Sequence, residues 1–404
     1  MAATTLTSVD TALQHLLERA NPVAEAESAD LHEALGRILA EDLKASYDIP
    51  HADNSAVDGY AVRCADLENG DRLPISARIP AGHAPEPLQP GTAARIFTGA
   101  SVPEGADAVI MQETVSEEEG QAIFTTPVLP GQNIRRRGQD LQKGTIALKQ
   151  GSRLRPQELG LIASLGIAQT PVWRRLRVAI LTTGDELIDP GQPHKPGCIF
   201  NTNRITLMAI LQRLGCEVVA AQTVPDTHEA TVAALTRAAR QADLIITSGG
   251  VSVGEEDHVR AVLEDKGQLS LWRLAIKPGK PLAFGSIDDV PVIGLPGNPA
   301  SVLVSSLMLC APFIRRSQGD SQTVPPATKL PVGFKVDKAS VRREYMRARR
   351  EIVENQLVVS AYPNQSSGML SSACWADGLA VVPEHSCLNP GDTVDFYSFS
   401  DLLG

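Results

Sequence analysis

The chain is short of positive charge: 37 Lys and Arg stand against 47 Asp and Glu over 404 residues, a formal net charge of −10. Phosphate backbones reward a basic face, so this balance argues against a general nucleic-acid binder, though not against small anions held by local cations. Cysteine is sparse and scattered. The six, at positions 64, 198, 216, 310, 374 and 387, form no C-x-x-C pair and no metal-ligand spacing, which reads as reduced thiols in a cytoplasmic protein. Long apolar runs are missing too. The best membrane candidate, "ASVLVSSLMLCAPFI" from Ala300 to Ile314, is too short and too rich in serine to span a bilayer and reads as a buried helix. The opening "MAATTLTSVDTALQHLLERA" lacks a basic leader followed by an apolar block and reads as a soluble helix with Ser8 as its cap. Walker A, zincin and dinucleotide motifs are absent, as are repeats and coiled-coil heptads.

What is present is a change of texture along the chain, which at 404 residues is too long for one typical core. The stretch "LHEALGRILAEDL" places Leu31, Leu35, Ile38 and Leu39 on one face of an expected amphipathic helix. From about Tyr47 to Asp140, short alternating runs cut by Pro and Gly predict a β-rich module. Helix returns at "RPQELGLIASLGI", with Pro156 suited to its first turn. Residues 176–310 then alternate apolar strands with helical segments four times, as in "LRVAILTTGDEL" before "NRITLMAILQRLG" and "ADLIITSGG" before "DHVRAVLEDKG". Right-handed crossovers make such strands parallel, which brings every strand-to-helix loop to one carboxyl edge. After about Pro325 the runs "ENQLVVSAY", "GLAVVPE" and "DTVDFYSF" predict a small β-barrel or sandwich.

The chemistry is concentrated in those loops. Asp185 and Glu186 lie in the first, Asp226 in the second, and Glu255, Glu256 and Asp257 in the third. Clustered carboxylates repel unless a cation or proton intervenes. Mg²⁺ suits them, since it takes one or two carboxylates and completes its shell with water and phosphate oxygens; acids that merely begin helices are the simpler reading. Gly184, Gly249, Gly250 and Gly254 would let backbone approach an anion ahead of a helix. "KPGKP", from Lys277 to Pro281, adds two cations on a stiff segment, fit for phosphate or an oxyanion such as molybdate. "GVSVG" also matches the hydrolase pattern G-x-S-x-G with Ser252 as nucleophile. Three acids directly downstream would oppose an oxyanion there, and neither His258 nor His385 is well placed for the triad order.

Taken together, these stretches resemble the molybdopterin molybdenumtransferase family, related to the E domain of gephyrin. "DNSAVDGYAVR" (53–63), "IFTGASVPEGADAVIMQE" (96–113), "IRRRGQDL" (134–141), "TTGDEL" (182–187), "TSGGVSVGEEDHV" (247–259), "LAIKPGKPLAFG" (274–285) and "GLPGNPAS" (294–301) occur in family order over nearly the whole chain. The resemblance implies a multidomain α/β plus β fold: a helical domain from 1–46 and 141–175, an inserted β-rich domain from 47–140, a parallel-sheet, molybdopterin-binding α/β domain from 176–325, and a C-terminal β-barrel from 326–404. It implies a homodimer whose active cleft is shared between subunits, with transient contacts to other proteins of molybdenum cofactor synthesis.

The implied activity inserts molybdenum from molybdate into adenylylated molybdopterin, with Mg²⁺, and releases AMP. Matching motif positions assigns Glu186, Asp226 and Asp257 to the metal and ligand pocket, with Asp58, Thr98 and Asp140 facing the partner's cleft. Lys277 and Lys280 take the anion; Thr183, Gly184, Ser248, Gly249, Gly250 and Ser252 border the pterin phosphate; Pro296 and Pro299 shape the wall; Arg347 and Ser367 approach from the C-terminal domain. Arg273 is placed with the cofactor-binding residues, although the chain departs from the family there, where Lys is frequent, as it does at Ser366, where Gly is common, and at Asn201, where an acid is frequent. A non-catalytic scaffold like gephyrin and a molybdopterin adenylyltransferase are the competing readings.

Overall fold

The computed structural model describes residues 6–68, 70–251 and 257–404. The chain divides into two compact units: Met1–Ala40, Gly151–Arg155 and Pro171–Gly404 form one, and Glu41–Gln150 with Pro156–Thr170 form the other.

In the larger unit, the alternation read from the sequence becomes a six-stranded sheet. Its elements are β1 (Arg177–Thr183), α1 (Thr202–Arg213), β2 (Glu217–Val224), α2 (His228–Ala239), β3 (Leu244–Ser248), α3 (His258–Lys266), β4 (Gln268–Arg273), β5 (Pro281–Ile287), β6 (Val290–Leu295) and α4 (Pro299–Ser305). The strand order is β2-β1-β3-β6-β5-β4. The first four strands run parallel, as expected. β5 and β4 add an antiparallel extension absent from the sequence reading. Successive side chains point to opposite faces of a strand, so one run serves two cores. Val178 and Ile180 pack beneath α1 with Leu207 and Leu211, while Ala179 and Leu181 meet Leu235 and Val262 on the other face. Each such large aliphatic side chain contributes roughly 1.5–3 kcal/mol on burial.

Register decides where the loops leave. Thr183 pairs with Val224, Thr182 with Ser248, and Ser248 with Leu295, so all four parallel strands end together at one edge. Two helices are started by side chains: Asn201 accepts from the N–H of Arg204 at 3.1 Å, and Thr227 from that of Ala230 at 3.2 Å.

The N-terminal helix is Val9–Arg19, capped by Ser8 as predicted, its oxygen accepting from the N–H of Thr11 at 3.1 Å. The helix expected over 31–43 does not form. Ile38 bridges Arg153 and Leu39 bridges Val172, while Leu35 is exposed; long-range pairing overrides the local apolar period. Ala300–Ile314 is helical and buried as read, with a π-turn over Ser306–Cys310 inside it. At the C-terminus, Ile276–Lys277, Arg343–Val353, Gly378–Val382, Thr393–Ser398 and Thr328–Pro331 pair in that order, and Gln356–Ala361 adds to Arg343–Val353.

In the smaller unit, six strands pair in the order Ala108–Met111, Gly59–Val62, Ala93–Ile96, Arg72–Ile79, Gln121–Phe124 and Val115–Glu118. Both faces are covered, Tyr60, Val62 and Ile110 on one and Ala61, Ile96 and Val109 on the other. Pro156 begins the helix Pro156–Ser164, as its fixed φ favours. Among the described residues, no helix is long and apolar enough to cross a membrane.

Candidate active site

The carboxyl edge of the parallel strands opens into a cavity of about 440 Å³ bordered by Thr183, Gly184, Glu186, Asp226, Ser248, Gly249, Gly250, Asp257 and Pro299. Glu186 and Asp257 therefore serve one space, although they leave different strands. The first loop folds its acid back on itself. At Gly184, φ is +143°, and a Cβ there would stand 2.4 Å from Oε2 of Glu186. Asp185 ties the first two loops together, accepting the N–H of Asp226 at 3.1 Å.

Ser248 is fixed from both sides: its hydroxyl accepts from Nδ2 of Asn203 at 2.9 Å and donates to the Pro296 carbonyl at 3.2 Å. Gly249 follows with φ +93°, and a Cβ there would lie 2.7 Å from the Thr183 carbonyl oxygen. Its own N–H donates to Leu295 at 3.2 Å, so it gives the cavity room rather than a donor.

A second cavity, of about 370 Å³, adjoins the first through shared Gly249, Gly250, Gly297 and Asn298. Its chemistry is opposite. Lys280 and Arg342 border it with Ser301, Ser367 and Pro296, and neither cation has an ion-pair partner among the described residues. Ser301 is 1% exposed and its hydroxyl has no hydrogen-bond partner there. A buried hydroxyl without a partner is costly. Beside two cations it suits an anion with several acceptor oxygens.

In the smaller unit, Asp58 Oδ1 accepts from the N–H of Thr98 at 2.8 Å and from its hydroxyl at 2.7 Å. Those bonds hold the Asp58 carboxyl below the usual carboxylate range. Asp140 is exposed, and its N–H donates to Ile49 at 2.9 Å.

Comparison with known proteins follows the same lines. The family description "MoeA N-terminal region (domain I and II)" matches residues 7–166, "Probable molybdopterin binding domain" matches 179–316, and "MoeA C-terminal region (domain IV)" matches 329–399. A protein of Haemophilus influenzae named molybdopterin molybdenumtransferase is 42% identical over 98% of this chain and 100% of its own length. The chain belongs to the molybdopterin molybdenumtransferase family. A relative of that name from a Nostoc species is 36% identical over 91% of this chain and 87% of its own. The solved molybdopterin biosynthesis moeA protein of Pyrococcus horikoshii OT3 superposes with a TM-score of 0.85 at 30% identity, covering 98% of this chain and 100% of that one.

Set against the residues carried over from the molybdopterin molybdenumtransferase family, the structure places some beside the two cavities and others away from them. Lys277 lines neither cavity. Its short strand pairs with Arg343–Val353 in a register that sets Lys277 against Glu344, and its ammonium lies 2.9 Å from Oε1 of that residue. Arg347 borders neither cavity, and its side chain is fully buried. Arg342, missed in the sequence, is the arginine that borders the anion cavity. The signal was the period of two: Tyr345 and Arg347 share an inward face of one strand, whereas Arg342 stands just before it. Arg273 is exposed at the end of β4 and lines neither cavity. Ser252, Gly254, Glu255 and Glu256 lie outside the described residues. Asn201 borders the carboxylate cavity; it is buried, and its amide donates to the Thr182 hydroxyl at 2.7 Å and that of Thr223 at 3.1 Å.

Proposed function

We propose that this transferase inserts molybdenum from molybdate into adenylylated molybdopterin and releases AMP. The observation that carries the reading is the contact of two cavities of opposite chemistry along one strand edge. Molybdate is a compact dianion with four oxygens, and Lys280, Arg342 and the unpartnered Ser301 hydroxyl supply charge and donors without another carboxylate among them. Substrate phosphates fall at the shared glycines, beside the acids.

Those acids suit a hydrated Mg²⁺ better than a bare one. Among the described residues, no three His, Cys, Asp or Glu side chains gather closely enough to hold an ion alone. Glu186, Asp226 and Asp257 nevertheless border a single cavity, so one or two of them would hold the ion while phosphate and water complete its shell. When bound, Mg²⁺ neutralises negative charge on the phosphates. The chain's own part is to orient the diphosphate against Ser248 and the glycine turn and to present molybdate from the cationic side.

The active unit in this reading is a homodimer in which Asp58, Thr98 and Asp140 complete the partner's cleft. The Thr98 bonds that keep Asp58 anionic support that role. The bridge between Val332 and Val359 supports a C-terminal barrel, and six unpaired cysteines support a reducing, cytoplasmic setting.

The deciding experiment supplies adenylylated molybdopterin and molybdate, with and without Mg²⁺, and measures AMP. Release that needs both ions and vanishes in Asp257→Ala supports the reading. A folded protein that releases no AMP ends it. Mixing inactive Asp58→Ala and Asp257→Ala proteins should restore turnover through hybrid dimers; no recovery would remove the shared cleft.

A further inference from the structure

The two cations of the anion cavity hang from one short stretch of main chain. The carbonyl of Lys280 accepts the N–H of Leu274 at 2.9 Å, and the N–H of Arg343, next to Arg342, donates to the carbonyl of Ala275 at 2.8 Å. The N-terminal segment grips the same stretch. The N–H of Thr7 donates to the Arg273 carbonyl at 2.8 Å, and the Thr7 carbonyl accepts from the N–H of Ala275 at 2.8 Å. In the first turn of the helix Val9–Arg19, the Asp10 carboxylate then takes the guanidinium of Arg343 in a two-pronged pair, at 2.7 Å to each oxygen. Those bonds are shorter than the 3.3 Å that separates the Nε of Arg343 from Glu384. Neither Thr7 nor Asp10 borders either cavity.

Resting on the proposed placement of molybdate beside Lys280 and Arg342, we infer that Asp10 is a positioning residue for the molybdate site: by holding Arg343 it fixes the main chain from which Arg342 reaches the anion. A guanidinium gripped at both prongs has a single geometry. Arg343 opens the strand Arg343–Val353 and Arg342 stands just before it, its own N–H donating to the Ser340 hydroxyl at 3.0 Å. An anchor one residue away therefore limits how far Arg342 can swing. Charge alone predicts the reverse. Asp10 is an acid, and a carboxylate with no positioning role would only repel an oxyanion, so that removing it would tighten binding slightly. Weaker binding after its removal is the mark of the brace.

The test is calorimetric titration of full-length protein with molybdate in wild type, Asp10→Asn, Arg342→Met and the double variant. A partly exposed pair contributes modestly, so Asp10→Asn should weaken molybdate binding about three- to fivefold with a melting temperature close to wild type. Arg342→Met should weaken it about tenfold. The double variant should bind no worse than Arg342→Met alone, because Asp10 then has nothing left to position. Unchanged or tighter molybdate binding in Asp10→Asn, or losses that add in the double variant, would each overturn the role. The two ideas separate in the single variants: loss in Arg342→Met beside none in Asp10→Asn sinks the brace alone, whereas wild-type affinity in Arg342→Met sinks the brace together with the placement of molybdate.

Discussion

The guanidinium of Arg347 donates to the main-chain carbonyl of Ser366 at 3.0 Å from a fully buried position. Its Nε donates to the Ser372 hydroxyl at 3.0 Å, and no carboxylate pairs with it among the described residues. Burial pulls its pKa down to about 10, so it keeps its charge at neutral pH. The neighbouring Ser367 borders the anion cavity, and its carbonyl accepts the N–H of Ala300, at the start of α4, at 2.9 Å. Arg347 is thus a positioning residue for one wall of that cavity. It acts through the loop it holds.

Replacing it by methionine should loosen that wall while leaving Lys280 and Arg342 in place. A hydrogen bond to a charged group is worth about 1.5–3 kcal/mol, so the KM for molybdate in Arg347→Met should rise about tenfold or more, with kcat little changed. Arg347→Lys should recover part of the loss. An unchanged KM with a lowered melting temperature would leave Arg347 a purely structural residue.

Gly249 should tolerate nothing larger. Its φ of +93° and the Thr183 carbonyl oxygen 2.7 Å from where a methyl group would stand are both backbone constraints that no rotamer relieves. Gly249→Ala should therefore cost about 1–3 kcal/mol and most of the turnover. Gly160, inside the helix Pro156–Ser164 with nothing within 4 Å, is the contrast. Gly160→Ala should stabilise by about 0.5–1 kcal/mol. Thermal melts of the two variants settle the comparison.

The parts that could be read directly are those where one element writes its own pattern. Val178–Leu181 and Leu244–Ile246 are continuous apolar runs because both faces of their strands are covered, and register alone then gathers Glu186, Asp226 and Asp257 at one edge. What stayed hidden depends on distant partners. Leu31, Leu35, Ile38 and Leu39 keep a helical period, but pairing of Ile38 with Arg153 and of Leu39 with Val172 decides their structure. The choice between Arg342 and Arg347 turns on where a strand begins. Motif matching pointed to Arg347, which holds the loop beside the cavity, five positions from Arg342, which borders it.

Asp243 gives the α/β sheet an acid-sensitive anchor. Burial pushes its carboxyl up, but hydrogen bonds from the side chains of Arg174 and Arg177 and from the Arg177 N–H outweigh that and bring it to about 2, from 3.8. The closest contact, to Arg174, is 2.6 Å. Because the folded pKa is depressed, this stabilisation is present above about pH 4 and is lost as pH falls towards about 2. It amounts to about 2 kcal/mol at neutral pH. Asp243→Asn should lose that amount at pH 7 and flatten this part of the acid unfolding curve. Asp243 precedes β3, at the edge opposite the cavities, so AMP release should persist where the variant remains folded.

The two lysines of "KPGKP" should separate by assay. Lys277 is committed to Glu344, a pair 41% and 12% exposed at its two ends. Breaking a partly exposed pair costs about 1 kcal/mol or less, so Lys277→Met should lower the melting temperature slightly and move the KM for molybdate little. Lys280 has no such partner among the described residues and borders the anion cavity. Lys280→Met should leave the melting temperature alone and raise that KM about tenfold, in line with the loss of one charge-assisted contact. If Lys277→Met proved the more damaging to KM, the ammonium must leave Glu344 when molybdate arrives. The pair would then be a resting state rather than a fixture, and a shift in the pH dependence of KM in Glu344→Gln would expose the exchange.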